Sequence, residues 1–407
     1  VAYELPDLAA LQSARALVQQ VARTTPVVPA RWILPRERGT VHLKCENLQR
    51  AGSFKLRGAY VRIARLPQEV RRHGVVAASA GNHAQGVAVA ARHLGIGATV
   101  FMPHGAALPK VSSTLGYGAR VELVGEIVDD AIAAALAHAQ ASGATLVHPF
   151  DHEDVVLGQA SVGLEILEQV PDVRTILVPT GGGGLLAGIA AAVRAVRGDR
   201  VRVIGVQAEA AAAWPASLSA GHPIVLQSMA TMADGIAVAR PGDVPFAIVE
   251  RAGVEVWTVG EEAIARAMVG LMERSKQVVE PAGAPGVAAL LDHAAGVEPP
   301  VVAVLSGGNI DPVLLQRLLR FGLAAAGRYL SVTVRLADSP GSLAALLRCL
   351  ARVGANVLDI DHVWADPALT IGQVEVLVQV ETRGPEHRAA TLAALAGDGF
   401  VVRVPSR

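Results

Sequence analysis

Thr175-Ile176-Leu177-Val178-Pro179-Thr180-Gly181-Gly182-Gly183-Gly184-Leu185-Leu186-Ala187-Gly188-Ile189 is the stretch on which the fold turns. An apolar strand, Thr175 to Val178, runs into four consecutive glycines, and an apolar helix opens at Leu185. A glycine run at a strand-to-helix turn leaves backbone N–H groups bare at the positive end of a helix, a ready site for a phosphate dianion. The competing reading is a flexible linker, but linkers carry Ser or charge and do not sit between two buried elements. The glycines alone do not say whose phosphate is bound.

The same alternation extends over most of the first 320 residues. Val41 to Lys44, Val75 to Ala78, Thr99 to Met102, Val121 to Val124, Ile176 to Val178, Val203 to Val206 and Val301 to Leu305 read as short strands between Ala-rich helical stretches. Continuous apolar strands separated by helices predict α/β architecture with open parallel sheets covered on both faces. Ligands of such sheets bind beyond the strand C-termini. Near Arg328 the composition changes. A strand at Leu330 to Leu336, a turn at Asp338 to Gly341 and an amphipathic helix through Leu343, Leu346, Leu347 and Leu350 come first. Strands at Val357 to Val363 and Gln373 to Val380, a helix at Glu386 to Leu395 and a strand at Phe400 to Val404 follow. The order βαββαβ predicts a ferredoxin-like unit of about eighty residues, with Ala324 to Arg328 as its linker.

A chain of 407 residues exceeds one ordinary core. Hydrophobic residues make up 52% and aromatic ones 3%, so the cores are built from Ala, Val, Leu and Ile. With 36 basic against 36 acidic residues and no basic block, nucleic acid and anionic membrane are not expected partners. Cys45 and Cys349 match no metal or redox spacing, which fits a reducing cytoplasm. Val1 to Ala10 lacks the basic and apolar regions of a signal peptide. Ile176 to Val193 approaches membrane-span length, but Pro179 and the glycines argue for strand-turn-helix instead.

Three further motifs follow strands. Gly52-Ser53-Phe54-Lys55-Leu56-Arg57-Gly58-Ala59 places a lysine in a small-residue turn leading into a helix. Ser79-Ala80-Gly81-Asn82-His83-Ala84-Gln85-Gly86 opens a helix with N–H groups, a hydroxyl and an amide suited to a carboxylate and a phenolic oxygen. Ser306-Gly307-Gly308-Asn309 sets a hydroxyl at a strand end. Singly these read as a surface lysine, an ordinary helix cap and a plain turn. Together with the glycine loop they suit an aldehyde cofactor with a phosphate tail, pyridoxal phosphate, which needs a lysine and a partner for its ring nitrogen.

On these motifs, with Glu46-Asn47-Leu48-Gln49-Arg50, the chain resembles the fold-type II pyridoxal-phosphate enzymes, tryptophan synthase β-like in fold, and among them the threonine ammonia-lyases. The likeness runs over residues 4 to 325. It implies a catalytic domain at 1–325, with a small subdomain inserted at about 46–145. It also implies that Lys55 forms the Schiff base beside Phe54, that Asn82 meets the ring oxygen, that Gly181, Gly182, Gly183, Gly184 and Leu185 hold the phosphate, and that Ser306 faces the pyridine nitrogen. Ser79, Ala80, Gly81, Asn82 and His83 would bind the substrate carboxylate.

Two departures bear on the reaction. The related serine racemases have a serine where Ala80 stands, and an alanine cannot carry a proton to the second face of the α-carbon. Val206-Gln207-Ala208-Glu209 is similar to the start of a cation-binding loop, but Pro215 replaces its second carboxylate, leaving no metal site beyond Glu209 as a lone candidate. Residues 329–407 resemble an ACT domain through Asp338-Ser339-Pro340-Gly341-Ser342-Leu343 and Gly354-Ala355-Asn356-Val357. The resemblance implies a small amino-acid effector and a homo-oligomer, dimer or tetramer; a unit that only dimerises is the alternative. The reading is thus a cytoplasmic ammonia-lyase for L-threonine and L-serine. A racemase or dehydratase of the serine type, a β-replacement synthase and a non-catalytic amino-acid sensor are the alternatives.

Overall fold

A computed structural model describes residues 3–363 and 370–404. The chain forms two compact units, Val1–Leu315 and Gln316–Arg407.

The first unit holds two sheets. The larger has, in spatial order, strands Val27–Pro29, Val41–Cys45, Val301–Leu305, Thr175–Pro179, Arg202–Ala208 and Glu255–Val259. All neighbours are parallel except Val27–Pro29, which runs antiparallel to Val41–Cys45. Thr175–Pro179 and Val301–Leu305 are buried at every position, as their unbroken apolar runs require. Ile176, Val178, Val302 and Val304 share a core with Leu185, Ile189 and Val193 of helix Gly184–Arg197. The alternate residues Leu177 and Ala303 meet helix Pro285–His293 at Gly286. The period of two along each strand thus divides its side chains between two helical layers. The smaller sheet, ordered Arg120–Leu123, Ala98–Met102, Val75–Ala78 and Thr145–Leu146, is wholly parallel. Three of the ten strands, Val27–Pro29, Thr145–Leu146 and Glu255–Val259, go beyond the sequence expectation.

Register sets the functional end. Val41 pairs with Val301 and Cys45 with Leu305, so Glu46 and Ser306 leave the sheet side by side although they lie far apart in sequence. Behind the helix Lys55–Ala64 is a buried ionic cluster. Arg57 donates to both oxygens of Glu46 at 2.8 Å and to Glu165 at 2.7 and 3.1 Å. Lys44 Nζ donates to Glu165 at 2.5 Å and to Gln169 Oε1 and the Thr25 carbonyl at 2.8 Å. Two cations balance two carboxylates, and nearly every polar atom finds a partner, the condition under which charges tolerate burial.

The second unit is a ferredoxin-like βαββαβ fold. Strands Asn356–Val363, Gln373–Glu381, Tyr329–Ala337 and Val401–Arg403 lie in that order, antiparallel throughout, with helices Ser342–Arg352 and Pro385–Gly397 on one face. Leu330, Val332, Val334 and Leu336 alternate inward against Leu346, Leu350 and Leu395. The segment read as a linker, Ala324 to Arg328, is different: helix Pro312–Ala325 takes its first two residues, and a turn closes onto Arg328, whose N–H reaches Leu323 O at 2.8 Å. Ala-rich sequence favours helix over an open linker there.

Candidate active site

Lys55 opens its helix from a turn stitched to the Ser306 loop. Ser53 bridges Gly307 in antiparallel fashion, Phe54 N–H donates to Ser306 O at 3.2 Å, and Gly308 N–H donates to Gly52 O at 2.9 Å. The Lys55 side chain is half-buried, lies 5.2 Å from the centre of the Phe54 ring, and donates to Pro149 O at 2.9 Å. Loss of water around it pushes the ammonium down to about 8, with the Glu280 charge opposing the shift.

The next residue after Pro149 ties this lysine to the glycine loop. A Cβ on Gly182 would fall 2.5 Å from the Phe150 ring, and one on Gly183, whose φ is +98°, would fall 2.2 Å from Trp214. Trp214 Nε1 donates to Gly181 O at 2.7 Å. The loop is therefore pressed between two aromatic rings, and only glycine fits. Its N–H groups open the helix Gly184–Arg197, with Leu185 buried beneath.

Ser306 is buried and donates through Oγ to Ala282 O at 3.2 Å. Asn82 heads helix Asn82–His93; its Nδ2 donates to Glu280 Oε1 at 2.5 Å, and its Oδ1 accepts from Asn309 at 2.8 Å. Burial pushes the Glu280 carboxyl up to about 7, with Asn82 drawing it the other way. Ser79 Oγ accepts from Gly81 N–H at 3.1 Å, and the space above Gly81 is open. The His83 ring turns inward instead, with Nε2 2.7 Å from Val147 O and burial pushing its pKa down to about 3, so it is neutral. Only its main chain faces the Ser79–Asn82 turn, at a position where helical N–H groups lack intrahelical acceptors.

The structure thus brings Lys55, Phe54, Asn82, the glycine loop, Ser306 and Ser79 to one end of the sheets. Glu209 stands exposed after its strand, and among the described residues no cluster of three or more His, Cys, Asp or Glu could hold a metal ion. Glu280, Pro149, Phe150 and Trp214 lie outside the four motifs read from the sequence, because they join the site through contacts with residues far away in the chain. A cradle that a Cβ would fill, a lysine with a lowered pKa, and the fully buried Ser53 Oγ, without a hydrogen-bond partner among the described residues, fit a phosphate-tailed aldehyde.

Residues 18–307 match the family model described as pyridoxal-phosphate dependent enzyme. The L-threonine ammonia-lyase of Geobacter sulfurreducens is 47% identical over 365 residues, 89% of this chain and 90% of that protein. The enzyme of the same name from Thermotoga maritima is 44% identical over 366 residues, 90% of this chain and 91% of its own length. The structure of maize serine racemase superposes with a TM-score of 0.73 at 33% identity, covering 77% of this chain and 97% of that one. The chain belongs to the pyridoxal-phosphate-dependent enzymes of fold type II.

Among the described residues no helix is long and apolar enough to cross a membrane.

Proposed function

We propose that this protein deaminates L-threonine to 2-oxobutanoate and ammonia, and L-serine to pyruvate and ammonia. The observation that carries this reading is the placement of Lys55 between the glycine loop and the Ser79–Asn82 turn, at the end of the sheets. Bound there, pyridoxal phosphate supplies an aldehyde for the substrate amine and a ring that draws electrons from the α-carbon. The N–H groups of Gly181 to Leu185 would hold its phosphate, Asn82 its ring oxygen and Ser306 its ring nitrogen. Being neutral, the Ser306 hydroxyl does not hold a proton on that nitrogen as a carboxylate would, which favours prompt loss of the β-hydroxyl over a long-lived carbanion.

Lys55 takes the α-proton at Nζ. With its pKa near 8 in place of the ordinary 10.5, the fraction of neutral amine at pH 7 rises roughly 300-fold. Ser79 and the N–H groups that follow it bind the substrate carboxylate.

Alanine at 80 supports elimination over racemisation, since no hydroxyl stands there to protonate the opposite face. The test is incubation of purified protein with L-threonine and L-serine, measuring 2-oxo acid, ammonia and D-serine. We expect both 2-oxo acids and little D-serine. Racemisation near the rate of elimination would turn the reading toward the serine racemases.

The same reading gives residues 329–407 a regulatory role, binding a branched-chain amino acid, in a cytoplasmic homo-oligomer of two or four chains. Two free, buried cysteines support the reducing compartment. Open space around Gly341, with φ +96° at the start of helix Ser342–Arg352, supports the effector site. Asn356 Nδ2 donates to Glu381 at 3.4 Å, which turns its Oδ1 to serve as acceptor for the amino group of a ligand. The edge strands Asn356–Val363 and Val401–Arg403, with Leu358 and Val401 exposed, support pairing between copies.

A further inference from the structure

A side-chain amide has donors at one end and acceptors at the other, so a half-turn about its last torsion exchanges the two. Asn82 is such a group, and the direction of its amide decides whether it offers a ring oxygen a hydrogen or a lone pair. Two side chains from distant parts of the chain settle that direction. Glu280 Oε1 accepts from Asn82 Nδ2 at 2.5 Å, and Asn309 Nδ2 donates to Asn82 Oδ1 at 2.8 Å. Asn309 is itself fixed, because the same Nδ2 also donates to Ala51 O at 2.7 Å.

The relay therefore begins at a backbone carbonyl, which cannot exchange donor for acceptor, and ends at the Glu280 carboxyl, whose Oε1 accepts from Asn82. Turning Asn82 over would set its oxygen against the Glu280 oxygen and its nitrogen against the Asn309 nitrogen. Both hydrogen bonds would be lost. In the observed direction one N–H of Asn82 remains unassigned.

The backbone is shaped around this relay. A Cβ on Gly307 would lie 2.1 Å from Glu280 Oε1 and 3.0 Å from Asn82 Nδ2. On Gly52, where φ is +69°, a Cβ would lie 2.1 Å from Asn309 Oδ1. Ala51 holds φ +61°, which is uncommon for a residue with a Cβ, and its carbonyl is the one Asn309 engages. Glu280 is anchored in turn by its own N–H, which donates to Gly307 O at 3.1 Å. Two residues later Ala282 O accepts from Ser306 Oγ at 3.2 Å. One short segment, 280–282, thus orients both side chains assigned to the polar edges of the ring.

We propose that Glu280 and Asn309 are positioning residues that lock the Asn82 amide with its second N–H directed at the ring oxygen of the cofactor. The proposal rests on the reading of Asn82 given under the proposed function. Neither residue touches the reacting atoms; both act through Asn82.

N309D is the sharpest probe, because a carboxylate replaces the donor and favours the reversed amide. Purified holoenzyme is to be compared with N309D, E280A, E280Q and N82A for three properties. These are the dissociation constant of pyridoxal phosphate, the absorption maximum of the bound cofactor and the melting temperature. N309D and E280A are expected to weaken cofactor affinity by roughly 10–100-fold and to move the absorption maximum, the loss of one directed hydrogen bond to a charged oxygen. E280Q keeps an acceptor oxygen and should recover most of the affinity. In an N82A background, N309D should change affinity by no more than about twofold, since its route of action is gone. Equal effects of N309D in both backgrounds, or unchanged affinity and spectrum in N309D itself, overturn the relay. Should N309D fail to fold, E280A against E280Q in the two backgrounds gives the same decision. An N82A enzyme with unchanged affinity and spectrum overturns the assignment of Asn82 beneath the relay, and the relay with it.

Discussion

The first unit buries both partners of its central ion pairs, whereas among the described residues of the second the buried Glu375 meets arginines that stay partly in solvent. In Val1–Leu315, Lys44, Glu46, Arg57 and Glu165 lie almost wholly out of solvent, with Arg57 two residues along the helix from Lys55. In Gln316–Arg407 the comparable pairs centre on Glu375, which faces Arg335 across the two inner strands and Arg403 from an edge strand. Arg335 and Arg403 reach Glu375 at 3.1 and 3.4 Å with their side chains 35% and 71% exposed. A parallel sheet covered on both faces leaves no wet side on which a charge can sit, so its polar groups must be paired completely or not at all. An antiparallel sheet with one open face sets its charges outward. The first arrangement ties the helix that begins at Lys55 to the strand end at Glu46 and to the helix carrying Glu165. The second leaves edges and a helix start available for association.

The largest expected difference between the units is chemical. Borohydride reduction of the holoenzyme followed by peptide mapping should label Lys55, and K55A should lower kcat/KM on L-threonine by at least about 10³-fold, roughly 4 kcal/mol, while its far-UV circular dichroism shows the fold intact. A label on Lys44 or Lys110, or K55A activity within tenfold of the parent, would sink the assignment.

Stability is the second contrast. R57A strips two buried carboxylates of their shared partner and should cost about 3–5 kcal/mol in urea denaturation. R335A, in the second unit, removes a half-exposed partner while Arg403 remains, and should cost less than about 1 kcal/mol. Similar costs at both positions would show that burial of the cluster is not what separates the units.

Much of the molecule was legible, and for reasons that differ by region. Strands such as Val301–Leu305 and Thr175–Pro179 announce themselves because complete burial demands unbroken apolar runs. In the second unit, alternation along Leu330 to Leu336 shows one covered face. Val27–Pro29 and Thr145–Leu146 are too short to carry a period, and Glu255–Val259 lies exposed or half-buried along most of its length. The site was legible where glycine is obligatory, at Gly181 to Gly184, and where a lysine follows a small-residue turn. Glu280 was not, because its role comes from burial against Asn82, 198 residues away, and no local pattern encodes that distance. Arg57 and Glu46 stood inside the motifs, yet the pairing with Glu165 spans 108 residues and is equally silent in the sequence.

The third contrast is with pH. Glu280 keeps its proton to about pH 7 in the folded, cofactor-free protein but loses it near its ordinary value of 4.5 when the chain unfolds. Between those values the folded state holds more protons, so each step upward in pH favours unfolding, and the full cost of about 3 kcal/mol is present above pH 7 and absent below 4.5. Lys55, with its pKa lowered, acts in a separate window: folding gains as pH rises from about 8 to 10.5. Stability of the cofactor-free protein minus that of E280Q should therefore decline from pH 4.5 to 7. A flat difference would show Glu280 ionised throughout.

The smallest expected effect belongs to the second unit. If residues 329–407 bind a branched-chain amino acid, the ligand shifts activity only by its difference in affinity between two arrangements of the unit, typically about 1–3 kcal/mol. The linkage is reciprocal, so substrate should change effector affinity by the same factor. Deletion of 329–407 removes the four antiparallel strands while leaving Lys55, the glycine loop and Ser306, all of which lie in Val1–Leu315. The truncated protein should keep its visible absorption band and its activity on L-threonine, and lose the response to isoleucine and valine that the intact chain shows. Rates measured for both proteins with and without each amino acid decide the matter. Equal responses, or none in either, would leave the second unit as a surface for association alone, and its open edge strands would then serve only the pairing of copies.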